Sequence, residues 1–352
     1  MEKKWKKWLG WMLAAVLCLS VLCFPAAAAP TKKVTPNTTM AELTQMDAFK
    51  KNDIGPHNVD WINSLRKNQT LSKVAGEAAA QDTADAMNKL ADNYENGVQV
   101  RYKIYSNEEV AEDSTLANVD LYYYPAKKKN QKFVLVLPGG GYLFLSQLTE
   151  GFDVANQFNN LGYNAFVLKY RTGVENVKGN APLKDTARAV QFILAHSKEL
   201  GIQPENYAIC GFSAGGHIAA SFGTDELGYK NYSLPKPGLL ILGYPLICTE
   251  KIDTVFADML EGQMVSEEAA AKYCVEKHIT ADYPRTYEFD GKDDYLLDYQ
   301  QHLMAMDAAL SKKNVPHKTV VYESVEHGSA AGQGQDSEGW IPQAASYWEQ
   351  NS

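Results

Sequence analysis

Apolar residues gather into five compact runs at positions 133–137, 165–168, 207–210, 239–242 and 319–322, each bounded by polar or turn-forming residues. Unbroken apolar runs of four or five residues predict strands buried on both faces. Residues 285–289 make a weaker sixth run. Positions 98–105 and 119–124 alternate apolar and polar instead, which predicts edge strands of an antiparallel start. Helical patterns lie between the runs, at 151–160, at 182–199, after Ser213 and at 298–312. Strands alternating with helices imply an α/β fold: a mostly parallel sheet of about eight strands covered by helices on both faces.

Three segments break the rhythm. Residues 1–29 read as a signal peptide, with Lys3, Lys4, Lys6 and Lys7 before an apolar core and small residues at Ala26–Ala29 for cleavage. The apolar core is short for a membrane span, so stable insertion after cleavage is not expected. Residues 30–96 are polar and helix-compatible and carry no catalytic pattern. They predict an N-terminal extension, packed on the main domain or partly disordered as a tether, ahead of a catalytic domain at 97–352. An insertion at about 248–284, with a helix start at Ser266-Glu267-Glu268, predicts a small helical cap.

Charge and cysteine content narrow the chemistry. The chain carries a formal charge of -8, and losing the leader with its four lysines and Glu2 leaves it near -11. Such a surface repels nucleic acid and anionic lipid. Cys210, Cys248 and Cys274 remain after the leader, with no close spacing of the zinc-binding kind and no disulfide framework. Cys210 falls in a predicted strand as a small buried residue, and a Cys248–Cys274 bridge is conceivable.

Gly211-Phe212-Ser213-Ala214-Gly215 has G-x-S-x-G spacing directly after an apolar run and before a small-residue stretch able to run as a helix. A serine on a sharp strand-to-helix turn needs glycines where the turn closes. The bare spacing arises by chance in roughly one chain in eight of this length, so its placement carries the weight. Pro138-Gly139-Gly140-Gly141-Tyr142 ends an earlier strand, and glycine backbone there can donate N–H groups to an oxyanion. Gly140, Gly141 and Ala214 are the candidate donors, and Tyr142 is expected at the rim of the pocket.

A serine nucleophile needs a base and an acid to orient that base. Of seven histidines, only His327 lies in a loop after the last predicted strand. His217 on the elbow helix suits packing, and His302 falls within a predicted helix. The acid lies in Gly291-Lys292-Asp293-Asp294, with Asp294 favoured over its neighbour Asp293 and Asp298 read as a helix cap.

PGGGY paired with GFSAGGH, the G-x-x-D loop at Gly291–Asp294 and the late His327-Gly328 resemble the α/β-hydrolase esterases. The resemblance is to the acetyl-esterase branch, allied to hormone-sensitive-lipase-like enzymes and acetyl-xylan esterases. It covers roughly residue 98 to the C-terminus, and Tyr170-Arg171 and the helix from Trp340 to Trp348 fit it. Pro138 replaces the histidine that many relatives carry before the glycines, and the acid loop lacks their apolar-Pro pattern. The resemblance implies an α/β-hydrolase fold, a Ser213–Asp294–His327 triad, and no metal or organic cofactor. The expected function is a secreted or cell-surface serine carboxylesterase acting on short-chain acyl esters, such as acetyl groups on xylan or another carbohydrate. A prolyl-oligopeptidase-like peptidase is a rival, weakened by the lack of a propeller-length domain before the catalytic part. A non-catalytic surface-binding module is another. Oligomeric state is left open.

Overall fold

Eight strands form one sheet: β1 (Arg101–Tyr102), β2 (Asp120–Tyr124), β3 (Phe133–Leu137), β4 (Asn164–Lys169), β5 (Ala208–Phe212), β6 (Leu239–Gly243), β7 (Thr286–Gly291) and β8 (His317–Tyr322). Their spatial order is β1-β2-β4-β3-β5-β6-β7-β8. β2 pairs antiparallel with both neighbours, and every pairing from β4 to β8 is parallel. This computed structural model describes residues 33–55, 58–248, 255–264 and 266–350. The leader, His57 and positions 249–254 of the insertion lie outside the described residues. Among those described, no helix is long and apolar enough to cross a membrane.

The period of two along β3 builds both cores at once. Phe133, Leu135 and Leu137 enter one apolar layer with Val190, Ile193 and Ile218, while Val134 and Val136 enter the other with Phe152, Phe158 and Trp340. The first layer is closed by the helices Ala181–Ala195 and Ala214–Phe222, the second by Val154–Asn160 and Trp340–Glu349.

Residues 119–124 are not the half-exposed edge that their alternation predicts. Every residue of β2 is buried, because Leu43, Phe49, Met87 and Leu90 from the segment before residue 96 pack against Tyr122 and Tyr124. The two tyrosine hydroxyls stay satisfied by donating to Asp53 and Ala86 carbonyls at 2.9 and 3.1 Å. Asp120, fully buried, is held by Arg101 of β1 at 2.7 Å and by Lys169 of β4 at 3.4 Å.

The strand expected at 98–105 shrinks to Arg101–Tyr102. Arg188 takes the Ile104 carbonyl out of the ladder at 2.7 Å, and a Ser106–Glu109 capping box then starts the helix Asn107–Glu112. The helix expected over 298–312 begins only at Leu303, because Asp298 instead accepts the Gln300 N–H in a preceding turn. In the insertion, Ser266 caps the short helix Glu267–Ala270, which gives way to 3₁₀ turns.

Candidate active site

Strand β5 ends in a turn that only small residues can close. Ser213 has φ 53° and ψ −120°, a sparsely populated conformation that costs on the order of 1–3 kcal/mol for a residue with a side chain. A Cβ on Gly211 would lie 2.2 Å from the Gly215 carbonyl oxygen, and one on Gly215 would lie 2.1 Å from that of Leu137. Both contacts are with backbone, which has nowhere to go. The serine carbonyl accepts the N–H groups of His217 and Leu246 at 3.0 and 3.1 Å, which tie it to the following helix and to the loop after β6.

Three side chains from distant positions converge here. His327 Nε2 lies 2.9 Å from Ser213 Oγ, and its Nδ1 lies 2.6 Å from Asp294 Oδ2. With Nδ1 protonated and donating to Asp294, Nε2 is free to accept from the serine. Asp294 Oδ1 accepts the N–H groups of Leu296 and Leu297, each at 2.8 Å. Burial opposes ionisation of Asp294, but the hydrogen bond and charge of His327 and these two N–H groups hold its carboxyl below the usual range. Asp293 points elsewhere and accepts from Ser324 Oγ at 3.0 Å.

Behind the acid stands Asp290, almost fully buried, its Oδ1 bonded to the Gly291 N–H at 2.7 Å. Burial and then the charge of Asp294 push its carboxyl up to about 8. Its neutral form is therefore favoured at neutral pH, which keeps a second charge away from Asp294.

The glycine loop lies against the serine, since a Cβ on Gly139 would come within 2.9 Å of Ser213 Cβ. Gly140 and Gly141 have φ of 140° and 59°, so both need glycine's freedom. The N–H groups of Gly140, Gly141 and Ala214 find no acceptor among the described residues. The donors proposed from sequence thus border one serine, unengaged.

Comparison with known proteins bears on this arrangement. A family described as BD-FAE matches residues 119–231. An endo-1,4-beta-xylanase B of Butyrivibrio fibrisolvens is 29% identical over 59% of this chain and 34% of its own length. An acetylxylan esterase of Xylanibacter ruminicola is 24% identical over 56% of this chain and 41% of its own. The chain therefore spans less than half the length of either curated relative. An acetyl ester-xyloside bifunctional hydrolase from Caldicellulosiruptor lactoaceticus superposes with a TM-score of 0.61 at 25% identity, over 70% of this chain and 94% of that one. This chain has the α/β-hydrolase fold.

Residues without a sequence motif hold the glycine loop in place beside the serine. Glu150 Oε2 accepts the Gly139 N–H at 2.6 Å, and its Oε1 accepts from the Tyr244 hydroxyl at 2.8 Å. Burial raises the Glu150 carboxyl, against the lowering by those two donors. Tyr170 donates to the Pro138 carbonyl at 2.6 Å. Asn58, from the segment read as free of catalytic pattern, accepts the Leu145 N–H at 2.8 Å and donates to Thr172 Oγ1 at 2.6 Å. Glu150 reaches Gly139 from a π-helical stretch, Gln147–Asp153, a form often found at functional sites.

Tyr142 is not at the rim. Its φ of 63° turns the side chain inward, and it is fully buried. Its hydroxyl donates to His217 Nδ1 at 2.6 Å, while Nε2 of that histidine donates to the Tyr273 carbonyl at 2.7 Å. Burial pushes His217 down to about 4, so it stays neutral. Phe256, on the helix Val255–Glu261 of the insertion, lies 6.0 Å from the Tyr142 ring. The exposed aromatic beside the site is Tyr295, whose ring stands 6.3 Å from His327. Among the described residues, one group could offer three donors to a metal ion, Cys248, Cys274 and Glu276, and it shares no residue with the Ser213 constellation.

Proposed function

We propose that this α/β-hydrolase is an exported serine carboxylesterase that removes short acyl groups, acetyl foremost, from carbohydrate such as xylan. Ser213 Oγ attacks the ester carbonyl as His327 Nε2 takes its proton. Asp294 keeps the imidazole in the required tautomer and stabilises its positive charge. The N–H groups of Gly140, Gly141 and Ala214 receive the oxyanion. His327 then gives its proton to the leaving alcohol, and water activated by the same ring releases the acid and restores Ser213.

What supports the reading is the unbroken hydrogen-bonded line from Ser213 Oγ through His327 to Asp294, beside N–H donors that meet no acceptor among the described residues. Phe256, 3.9 Å from where a Cβ on Gly141 would stand, crowds the glycine loop and favours a small acyl group. Relatives described as acetylxylan esterase and acetyl ester-xyloside hydrolase suggest the alcohol. The leader read at residues 1–29 suggests export.

The test is a substrate profile of the purified enzyme. Turnover of p-nitrophenyl acetate should exceed that of the butyrate and longer esters, with acetate released from acetylated xylan and aminoacyl anilides left intact. Ser213→Ala should abolish turnover with an unchanged circular dichroism spectrum. Near-normal turnover by that variant, or preference for anilides, overturns the proposal.

A further inference from the structure

Cys248 and Cys274 lie face to face at the junction between the loop after β6 and the turns of the insertion. Their Sγ atoms are 2.9 Å apart and both side chains are buried. Unbonded carbon atoms settle at about 3.5–4.0 Å, and sulfur is the larger atom, so the two sulfurs are already inside contact distance. The backbone keeps them there: the Val275 N–H donates to the Ile247 carbonyl at 3.0 Å, joining the residue after one cysteine to the residue before the other. Main chains joined in this way can bring two Cα atoms within the about 4.4–6.8 Å that a disulfide spans.

Both flanks of the pair reach the active site. Leu246 donates to the Ser213 carbonyl at 3.1 Å, and His302 Nδ1 accepts the N–H groups of Ile247 and Cys248 at 3.3 and 3.4 Å. On the other side, the Tyr273 carbonyl takes the His217 proton at 2.7 Å. Between the two cysteines, 26 positions apart, runs the segment that carries Phe256 to Tyr142.

We infer that Cys248 and Cys274 form a disulfide in the mature protein, clasping the insertion to the nucleophile's side of the sheet. The inference rests on the export reading above, because a thiol pair is oxidised and stays so in an oxidising compartment. Both S–H bonds break, one S–S bond forms, and two protons leave to solvent. The two electrons, with two protons from solvent, pass to the disulfide of a thiol–disulfide oxidoreductase in that compartment, which becomes a dithiol. Cys210 is no competitor. It is buried in β5, and burial together with the charge of Glu150 pushes its thiol well above the usual range.

The experiment uses the full-length protein, expressed with its leader and recovered from the oxidising compartment. It is unfolded and alkylated without reductant, then digested and mapped by mass spectrometry. A cross-linked pair of peptides containing Cys248 and Cys274, two hydrogens lighter than their sum, with Cys210 alkylated, supports the inference. Reduction should lower the wild-type Tm by about 5 °C, and the Cys248→Ser, Cys274→Ser double variant should show no response to reductant. Separate alkylation of both cysteines in the unreduced sample overturns it, and so does zinc held in equal ratio by thiols that alkylate once it is chelated. Ester turnover assayed on the same preparation distinguishes this failure from failure of the esterase reading.

Discussion

Glu150 and Tyr244 meet at 2.8 Å beneath the catalytic loops and join two backbone segments that no strand connects. The other carboxylate oxygen of Glu150 takes the Gly139 N–H, and the Tyr244 hydroxyl takes the Ala330 N–H at 3.0 Å. The Tyr244 ring also stands 4.9 Å from that of His327. One side-chain pair thus sets the glycine loop and the histidine loop relative to each other. Glu150→Ala should lower kcat by about 10²-fold, the scale of a lost oxyanion donor, with little change in KM. Glu150→Gln, which keeps one acceptor, should lose less. Steady-state kinetics checks both, and a KM-only effect would argue against positioning.

Asp294 and Asp293 separate cleanly by partner. Asp294→Asn should reduce kcat by about 10⁴-fold, because an amide facing Nδ1 favours the wrong imidazole tautomer. Asp293→Asn only alters a contact with Ser324 and should stay within about threefold. Turnover of p-nitrophenyl acetate by each variant at neutral pH decides, and the reverse ranking would assign the acid to Asp293.

Stability should fall on the alkaline side. Glu288 is fully buried in β7, with Thr319 Oγ1 donating to it at 2.8 Å, and burial pushes its carboxyl up to about 8 from 4.5. The folded chain therefore keeps this proton to higher pH than the unfolded one. Its contribution is full below about pH 4.5 and is lost as pH rises through 8. Asp290 acts with the same sign. His217 and His302, both pushed down to about 4 by burial, act oppositely and withdraw stability as pH falls from 6.5. Calorimetry should show Tm declining from pH 6 to 9 in the wild type, and Glu288→Gln should flatten that decline by about 5 °C. An unchanged slope in the variant would remove Glu288 as the cause.

The segment before residue 96 should matter for turnover as well as stability. Asn58→Ala removes the bonds to Leu145 and Thr172. Loss of about 1–2 kcal/mol in unfolding free energy should accompany a fall in kcat, seen by denaturant titration alongside kinetics. Full kcat in a destabilised variant would confine Asn58 to stability.

Much of this architecture could be read from the chain because buried parallel strands are written as unbroken apolar runs and a nucleophile turn is written in glycine. Ser213 and His327 followed from that spacing and from chain order. Asp294 is favoured over Asp293 in the sequence by its place in the G-x-x-D loop, and a bond to the imidazole is what parts these adjacent carboxylates in the structure. Burial of β2 was hidden because its cover, Met87 and Leu90, comes from a stretch whose composition reads as polar. Glu150, Tyr244 and Asn58 were invisible for another reason: each serves a backbone N–H or another buried side chain, and such service leaves no pattern of residue types. Tyr142 misled because its backbone φ, and not its place after the glycines, decides where the ring goes.

The π-helical stretch Gln147–Asp153 makes chain length itself a determinant of the site. Each residue turns an α-helix by about 100°. Deleting one residue there would relax the bulge into an ordinary helix and swing Glu150 away from Gly139 by about that angle. A deletion between Gln147 and Asp153 that spares Glu150 would disarm the glycine loop while removing none of the side chains that hold it, so tolerance to insertion and deletion should be lower there than tolerance to substitution.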